Sequence, residues 1–285
     1  MTIEHISDTA RWVAFYRAME TERPDAIFRD PYARRLAGEQ GERIVNTVKR
    51  GRDTAWAMIV RTAVIDELVR KAVHDDGVDL VVNLAAGLDT RPWRMDLPAD
   101  LRWMDVDLPG ILDYKLDVLA GETPRCAYEA VRADLTDAGA RRRTLAAVGD
   151  GHEKAVVLTE GLLVYLTEEN VTALASDLAR VPAFRSWIID LASPWLIQWM
   201  NRTWARSTRG NDTRFQFAPE EGTAFFEPLG WRETAFYSQG EEGRRLGREM
   251  RGAWIWRIAG AFMSAARREK MRRISGVVRL ERTGG

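Results

Sequence analysis

Cysteine and histidine are scarce in this sequence of 285 residues. The single cysteine, Cys126, excludes an intramolecular disulfide and favours a reducing compartment. The three histidines, His5, His74 and His152, lie far apart and have no spacing typical of a metal site. The composition therefore excludes a disulfide framework, and we predict no bound metal.

Net charge and long apolar runs are also missing. The 42 Lys and Arg residues balance the 42 Asp and Glu residues, so no overall field attracts the chain to nucleic acid or an anionic membrane. No apolar run reaches the roughly 18 residues typical of a membrane span, and the first residues lack the apolar core of a signal peptide. We expect a cytoplasmic protein that binds neither membranes nor nucleic acid.

The sequence does contain short apolar runs that alternate with helical stretches. Residues 8–75 have helical spacing and no strand candidate. Apolar runs typical of strands buried on both faces then follow at 78–84, 101–106, 126–131, 155–159 and 186–191. Helical stretches between these strands are predicted at 109–120, 137–148 and 168–180. The alternation predicts an α/β fold with a mostly parallel, doubly wound sheet.

The C-terminal third departs from this alternation. Residues 193–228 are rich in Trp, Arg and Phe without a clean period, and we predict that they form a lid insertion. A helical stretch at 241–272 separates two late strand candidates, which indicate an antiparallel edge: 231–237 and 274–282. The prediction is thus a helical cap at 1–75 and a main domain at 76–285 that carries the lid.

Residues that suit a nucleoside follow the first two strands. Ligands bind open parallel sheets at the carboxyl ends of the strands. Ala85 and Gly87 follow the first strand, where small side chains allow the backbone to approach a ligand. Asp107, 20 residues beyond Gly87, has the spacing of an acid that binds ribose hydroxyls.

Residues after the third and fourth strands complete this pattern. The Asp134 carboxylate suits the exocyclic amine of adenine, and Leu135 suits its ring. Glu160 faces the same crevice. The turn A-A-G-L-D-T lacks the dinucleotide motif G-x-G-x-x-G, and the sequence has no P-loop, so a nicotinamide dehydrogenase is disfavoured. An adenosine cofactor without phosphate fits better, which points to S-adenosyl-L-methionine, with Arg61 or Arg91 as partner of its carboxylate.

Five motifs in this order resemble the leucine carboxyl methyltransferase family, and more narrowly its bacterial polyketide-type O-methyltransferases. They are RAMETERPDAIFRDPYA, VRTAVIDELV, NLAAGLDTRPWRM, MDVDLPGILDYK with RADLTD, and TEGLLVYLTEENV. The resemblance covers residues 11–282 and implies a Rossmann-like class I methyltransferase fold. It also implies an S-adenosylmethionine site, whose residues match here as Arg61, Gly87, Asp107, Asp134, Leu135 and Glu160.

Two positions depart from the family pattern. Ala85 stands where many members have glycine, and its methyl group is tolerable if φ stays negative. Met104-Asp105 replaces an aromatic residue followed by Glu, which leaves open whether Asp105 assists Asp107.

Each candidate also has a purely structural interpretation. Asp89 and Asp134 suit helix caps, Arg61 suits a plain ion pair, and Asp107 suits a loop acid. Tyr16 and Tyr165 suit either core packing or substrate contact. The 11 tryptophans, five of which fall between positions 187 and 231, suit either a core or an aromatic pocket wall.

The predicted activity is O-methylation of a small apolar or aromatic molecule, with a carboxylate as the favoured acceptor because no general base is evident. Candidate substrate residues are Tyr16, Tyr165, Trp195 and Arg206, with Arg202 and Arg214 as further partners for a carboxylate. The alternatives are a non-catalytic binding protein on the same fold and a nucleic-acid methyltransferase that uses the basic C-terminal stretch. Whether the protein is a monomer or a homodimer stays open.

Overall fold

The computed structural model describes residues 6–47, 51–204, 214–255 and 263–284. The helices are α1 (Ile6–Thr21), α2 (Ala33–Thr47), α3 (Ala55–His74), α4 (Arg91–Arg94), α5 (Pro109–Val118), α6 (Ala138–Gly149), α7 (Glu168–Ala179), α8 (Pro194–Trp204), α9 (Gln239–Arg245) and α10 (Ala265–Arg272). The strands are β1 (Leu80–Leu84), β2 (Arg102–Asp107), β3 (Ala127–Arg132), β4 (Ala155–Thr159), β5 (Phe184–Ala192), β6 (Trp231–Ser238) and β7 (Ser275–Arg282).

The strands form one seven-stranded sheet in the order β3-β2-β1-β4-β5-β7-β6. β1 to β5 are parallel, and β7 pairs antiparallel with both β5 and β6. The chain moves outward from β1 to β3 and then returns to β4 on the other side of β1. The loops after β1 and β4 therefore diverge at a switch point, where an open α/β sheet forms its ligand crevice.

The apolar strands divide their side chains between the two faces of the sheet. Every residue of β1 and of β4 is buried, as expected for parallel strands covered on both sides. Val82 and Val157 pack in one cluster with α6 and α7, whereas Val81 and Val156 pack in a second cluster with α3. The period of two along each strand thus builds a three-layer core.

The first two helices form a third apolar cluster next to the ligand edge of the sheet. Trp12 and Phe15 of α1 pack with Leu36 of α2, and also with Leu88 from the loop after β1. Arg17 of α1 donates a hydrogen bond from Nη2 to the Leu88 carbonyl oxygen at 2.5 Å. Helix α1 is therefore attached to the loop that follows the first strand. The division into a cap at 1–75 and a main domain stays a prediction.

All seven predicted strands are present, with ends that differ from the prediction by no more than two residues. The antiparallel part of the sheet lies at the predicted edge, with β7 one position inside β6. No helix in the described parts of the chain has the length and apolarity needed to cross a membrane.

The segment 193–228 has no clean apolar period in the sequence, yet it contains regular structure at both ends. Helix α8 occupies its start, and a 3₁₀ helix spans Gly222–Leu229. The apolar period was obscured because α8 has large apolar residues on two sides: Ile197 is buried, whereas Trp195 and Trp199 are exposed.

Candidate functional site

The turn after β1 has two residues in the left-handed backbone region. Gly87 has φ of 52° and Ala85 has φ of 53°. The condition under which a methyl group was expected to be tolerable at Ala85 is therefore not met. The left-handed conformation brings Cβ close to the following carbonyl oxygen, at a cost of about 1–2 kcal/mol. The strained residue lies at the carboxyl ends of the strands, where open α/β sheets bind ligands, and strained residues are common at such functional sites.

Asp107 ends β2 directly beside this turn. Its Oδ2 accepts a hydrogen bond from the Gly87 backbone N–H at 2.7 Å, and its Oδ1 accepts one from the Leu108 N–H at 2.7 Å. Burial raises the pKa of Asp107 above its usual value, and the two backbone donors oppose that shift. Each carboxylate oxygen retains a free acceptor position. Asp107 is therefore not a loop acid without partners. Its two carboxylate oxygens can each accept one further hydrogen bond, for example from two adjacent hydroxyl groups of a ligand.

Asp134 and Leu135 follow β3 on the same side of the sheet. The Oδ1 atom of Asp134 accepts hydrogen bonds from the backbone N–H and the hydroxyl of Thr136, and these bonds lower its pKa. Asp134 is not the N-cap of α6, because Asp137 caps that helix through the Ala140 N–H. The second oxygen of Asp134 has no protein donor among the described residues, so it is available to a ligand.

Leu135 is held in place through its backbone. Arg141 of α6 donates from Nη1 to the Leu135 carbonyl oxygen at 3.0 Å. The same guanidinium is buried and pairs with Asp177 of α7 at 2.8 Å. A buried ion pair therefore fixes the position of the residue that is predicted to contact adenine.

Arg61 of α3 is buried and paired. Its Nε lies 3.0 Å from Glu160 Oε1, and its Nη1 lies 3.0 Å from Asp190 Oδ2. Glu160 follows β4, and Asp190 lies near the end of β5. Arg61 therefore connects α3 to the ends of two neighbouring strands. The other terminal nitrogen, Nη2, has no hydrogen-bond acceptor in the described parts of the chain.

Arg91, the other candidate for a cofactor carboxylate, has every donor group occupied. Its side chain is 2% exposed and pairs with Asp66 at 2.7 Å, with Asp89 at 2.5 Å and with Glu160 at 2.9 Å. Arg61, rather than Arg91, therefore has a free donor for a ligand carboxylate. Asp89 Oδ1 accepts a hydrogen bond from the Arg91 backbone N–H at the start of α4, where Thr90 is the N-cap residue, and Asp89 also belongs to this ion-pair network.

The network carries an excess of negative charge. Three guanidinium groups face four carboxylates: Arg61, Arg91, Arg94, Asp66, Asp89, Glu160 and Asp190. Despite burial, the neighbouring arginines lower the pKa of Glu160, and they lower that of Asp89 to about 2. Both groups are therefore ionised at neutral pH, and the excess of one carboxylate suits a cationic ligand.

Asp105 belongs to a different hydrogen-bond network from Asp107. It is fully buried and pairs with Lys115 of α5 at 2.5 Å. It also accepts hydrogen bonds from Trp103 at 2.9 Å and Tyr128 at 3.0 Å. These bonds join β2, β3 and α5, so Asp105 supports the frame beneath the site rather than donating to or accepting from Asp107.

Two predicted substrate residues are aromatic groups with partners at the edge of the cleft. Tyr16 is buried in the cap cluster, and its hydroxyl donates to the Gly51 carbonyl oxygen. The Tyr165 ring packs on Phe215 with centroids 5.3 Å apart, and its hydroxyl bonds to Thr9. Burial raises the pKa of Tyr165 to about 12, so it stays neutral at physiological pH.

The remaining substrate candidates lie in or beside the predicted lid. Trp195 is 61% exposed and Trp199 is 47% exposed, and both line the cleft from α8. Arg206 lies outside the described residues. Arg202 and Arg214 are both exposed.

One cleft is lined by all the predicted cofactor residues and by the aromatic substrate candidates Tyr16, Tyr165 and Trp195. Its volume is about 2900 Å³, and it extends from Asp107 and Asp134 past Arg61 to α8. Drug-sized ligands occupy pockets of roughly 300–1,000 Å³, so the cleft has room for two ligands side by side.

The sequence interpretation missed two acids of the site, Asp66 and Asp190. Asp190 lies in the predicted strand SWIIDL, so the rule that found Glu160 after β4 applies near the end of β5 as well. Asp66 gave no such signal, because it lies within α3 and its partners Arg91 and Arg94 are 25 and 28 positions away.

The seven-stranded, mostly parallel sheet with antiparallel β7 next to β5 is the class I methyltransferase fold. A crystal structure of a DUF574 family protein from Streptomyces avermitilis MA-4680 has the same fold. Its TM-score is 0.60 at 13% identity, and the alignment covers 99% of this chain and 98% of that one.

Sequence comparison identifies the family. Residues 10–179 match the model of the leucine carboxyl methyltransferase family. A protein of Parafrankia sp. (strain EAN1pec) is 39% identical over 188 residues, which are 62% of this chain and 60% of that protein. A Frankia alni protein is 32% identical over 243 residues, which are 80% and 83% of the two chains. Both are named "Putative S-adenosyl-L-methionine-dependent methyltransferase".

This chain belongs to the leucine carboxyl methyltransferase family. The family and fold predictions are confirmed, and so is the cofactor prediction at the level of the family, because the relatives are named for S-adenosyl-L-methionine. The aligned region spans 60% of the length of the Parafrankia protein.

Proposed function

We propose that this protein is an S-adenosyl-L-methionine-dependent O-methyltransferase that acts on a small apolar or aromatic carboxylic acid. The observation that carries the proposal is a continuous cleft, which joins the carboxylates of Asp107 and Asp134 to exposed indoles on α8. The acidic ion-pair network lies between these two ends. A cationic methyl donor and an apolar acceptor would therefore meet over the network.

The nucleoside part of the cofactor is assigned to the β1, β2 and β3 ends. The two free acceptor positions of Asp107 would bind the ribose hydroxyls, and the Ala85–Gly87 turn would lie beneath the sugar. The free oxygen of Asp134 would accept from the adenine amine, while Leu135 packs on the ring. Each assignment uses a group whose other contacts are with the protein, so the ligand would find these groups already oriented.

The amino-acid part of the cofactor is assigned to the Arg61 network. Arg61 Nη2 would donate to the carboxylate, because Nε and Nη1 are held by Glu160 and Asp190. The excess negative charge of the network would stabilise a bound sulfonium by Coulomb attraction. Glu160 acts here by fixing two arginines rather than by transferring a proton.

No general base is required for a carboxylate acceptor. S-adenosyl-L-methionine held by Arg61, Asp107 and Asp134 would supply an electrophilic methyl group; the acceptor oxygen would form the C–O bond as the C–S bond breaks and its electron pair returns to sulfur. A carboxylate has no proton to lose at neutral pH, whereas a phenol with a pKa near 10 needs one removed. No histidine lines the described part of the cleft, and Tyr165 stays protonated. The residues thus contribute alignment and water exclusion.

An apolar acceptor is proposed because of the exposed side chains at the far end of the cleft. Trp195, Trp199 and Met250 line the cleft and are at least 40% exposed. Exposed aromatic residues of this kind bind apolar ligands by burying a large area. Tyr165 would form the wall between the acceptor and Arg61.

A small-molecule acceptor fits better than nucleic acid, because several cations of the basic C-terminal stretch are already paired. Arg272 contacts Glu241 at 2.9 Å, and Arg273 contacts Glu233 at 2.7 Å. These pairs reduce the positive charge available to a phosphate backbone.

The test is transfer of a labelled methyl group to a panel of matched acceptors. Aromatic carboxylic acids, the corresponding phenols and a short RNA would be incubated with the protein and methyl-labelled S-adenosylmethionine. We expect label in the acids only, released as methanol by mild base because the product is a methyl ester. Label that resists base would contradict the carboxyl assignment, and label in the RNA would contradict the acceptor class.

A further inference from the structure

Asp190 contacts both the turn after β4 and Arg61, the residue proposed to bind the cofactor carboxylate. It lies in β5 two residues before the strand ends, lines the cleft, and its side chain is 20% exposed. Among the described residues, no helix start uses its carboxylate as a cap. Its two oxygens instead contact two different elements of the site.

One oxygen holds the turn after β4. Asp190 Oδ1 accepts the Gly161 backbone N–H at 2.6 Å. Gly161 has φ of 67°, and a Cβ atom at this position would lie 3.3 Å from Arg61 Nη1. A glycine is therefore required for two reasons: the left-handed backbone and the close approach of the Arg61 guanidinium.

The other oxygen holds Arg61 itself. Asp190 Oδ2 lies 3.0 Å from Nη1, while Glu160 Oε1 lies 3.0 Å from Nε. The guanidinium is planar, so one carboxylate after β4 and one within β5 fix its plane and its rotation. Nη2 is the terminal nitrogen that these two contacts leave without an acceptor among the described residues.

We propose that Asp190 is a positioning residue that orients Arg61 and thereby selects ligands that carry an amino-acid carboxylate. The inference rests on the proposed S-adenosylmethionine site and adds a specificity determinant to it. Without the Asp190 charge, Arg61 keeps only Glu160 as an anionic partner and is free to rotate about that contact. The carboxylate end of the ligand would lose its partner, while the adenosine end would keep Asp107 and Asp134.

Two ligands separate this role from general support of the fold. S-adenosylhomocysteine carries the amino-acid group, and 5′-methylthioadenosine has the same nucleoside and a thioether but no carboxylate. Calorimetric titration of wild type and Asp190→Asn with both ligands gives four affinities. Asparagine can keep Oδ1 as the acceptor for the Gly161 N–H, so the turn after β4 is preserved. Its NH2 group replaces Oδ2 and cannot accept from Arg61, so both the charge and the hydrogen bond to Arg61 are lost.

We expect Asp190→Asn to weaken S-adenosylhomocysteine about tenfold, as for loss of a charge-assisted contact, and to change 5′-methylthioadenosine less than twofold. The matched control is Asp113→Asn, which removes a carboxylate from an exposed pair with Arg132. The control should change neither affinity. In an Arg61→Gln background, Asp190→Asn should cause no further loss, because the residue acts through Arg61.

Equal weakening of both ligands would overturn the proposal and show a merely structural role, and so would no change in either. Failure of wild type to bind either ligand would instead contradict the proposed function. If Asp190→Asn does not fold, Asp190→Glu provides the same test with the charge moved by one methylene. A selective loss of about threefold for S-adenosylhomocysteine supports the proposal, and an unchanged affinity overturns it.

Discussion

Replacing Ala85 by glycine should stabilise the protein, although such a change usually does the opposite. Ala85 has φ of 53° and is the one non-glycine residue with positive φ in the described parts of the chain. Relief of the left-handed conformation contributes about 1–2 kcal/mol. The greater freedom of glycine in the unfolded chain subtracts about 0.4–1 kcal/mol. The net expectation is a free energy of unfolding higher by about 1 kcal/mol.

The neighbouring position provides the matched control. Ala86 does not have positive φ and is 7% exposed, so Ala86→Gly has no strain to relieve. It should lower the free energy of unfolding by about 1 kcal/mol through backbone entropy and the lost methyl group. Urea unfolding, followed by circular dichroism, compares the two variants with wild type. If Ala85→Gly were destabilised as much as Ala86→Gly, the strain in this turn would be refuted.

Three further predictions concern charge and exposure. Asp89→Asn should lower the free energy of unfolding by about 2 kcal/mol at pH 7, because Asp89 has a pKa of about 2 in the folded protein. In urea titrations, the difference in stability from wild type should shrink as the pH falls from 4 to 2, because the wild-type carboxylate becomes protonated. Lys115→Met should cost about 3–5 kcal/mol because it leaves Asp105 buried without its cation, whereas Arg132→Met at an exposed pair should cost less than about 1 kcal/mol in the same assay. Trp195→Ala should reduce kcat/KM for an aromatic acid several-fold while leaving the calorimetric affinity for S-adenosylhomocysteine unchanged, since the exposed indole contacts the acceptor end of the cleft.

The strands and the acids that follow them could be predicted because both signals are local. Burial on two faces makes β1 and β4 continuous apolar runs, and the strand ends then place Asp107 and Glu160 at one edge. Gly87 and Asp107, which are 20 residues apart, are in direct contact: the Gly87 backbone N–H donates a hydrogen bond to the Asp107 carboxylate. Such features depend only on short segments and on the general geometry of parallel sheets.

Other parts of the site depend on contacts between distant segments. Asp190 and Arg61 are separated by 129 positions, and no periodicity in either segment indicates that they pair. Helix α8 was missed because Trp195 and Trp199 are exposed to the cleft, so its apolar residues do not form a single stripe. The positive φ of Ala85 was hidden as well, because alanine is an unusual choice for that conformation.

The role of Asp105 also could not be predicted from the sequence, because it depends on residues that are distant along the chain. Its position two residues before Asp107 left open whether the two carboxylates act together. Residues two apart in β2 share a face, but Asp105 lies inside the strand and is fully buried with Lys115 and Tyr128, whereas Asp107 ends the strand and reaches the cleft. Neighbouring acids in a strand can therefore have unrelated tasks.

Calorimetric binding of S-adenosylhomocysteine tests the central claim most directly. Wild type should bind with micromolar affinity, and Asp107→Ala and Asp134→Ala should each weaken binding at least tenfold, because each removes an acceptor for the nucleoside. Circular dichroism of both variants would verify that they are folded. Absence of binding by wild type at millimolar ligand would contradict the account, as would wild-type affinity in both variants.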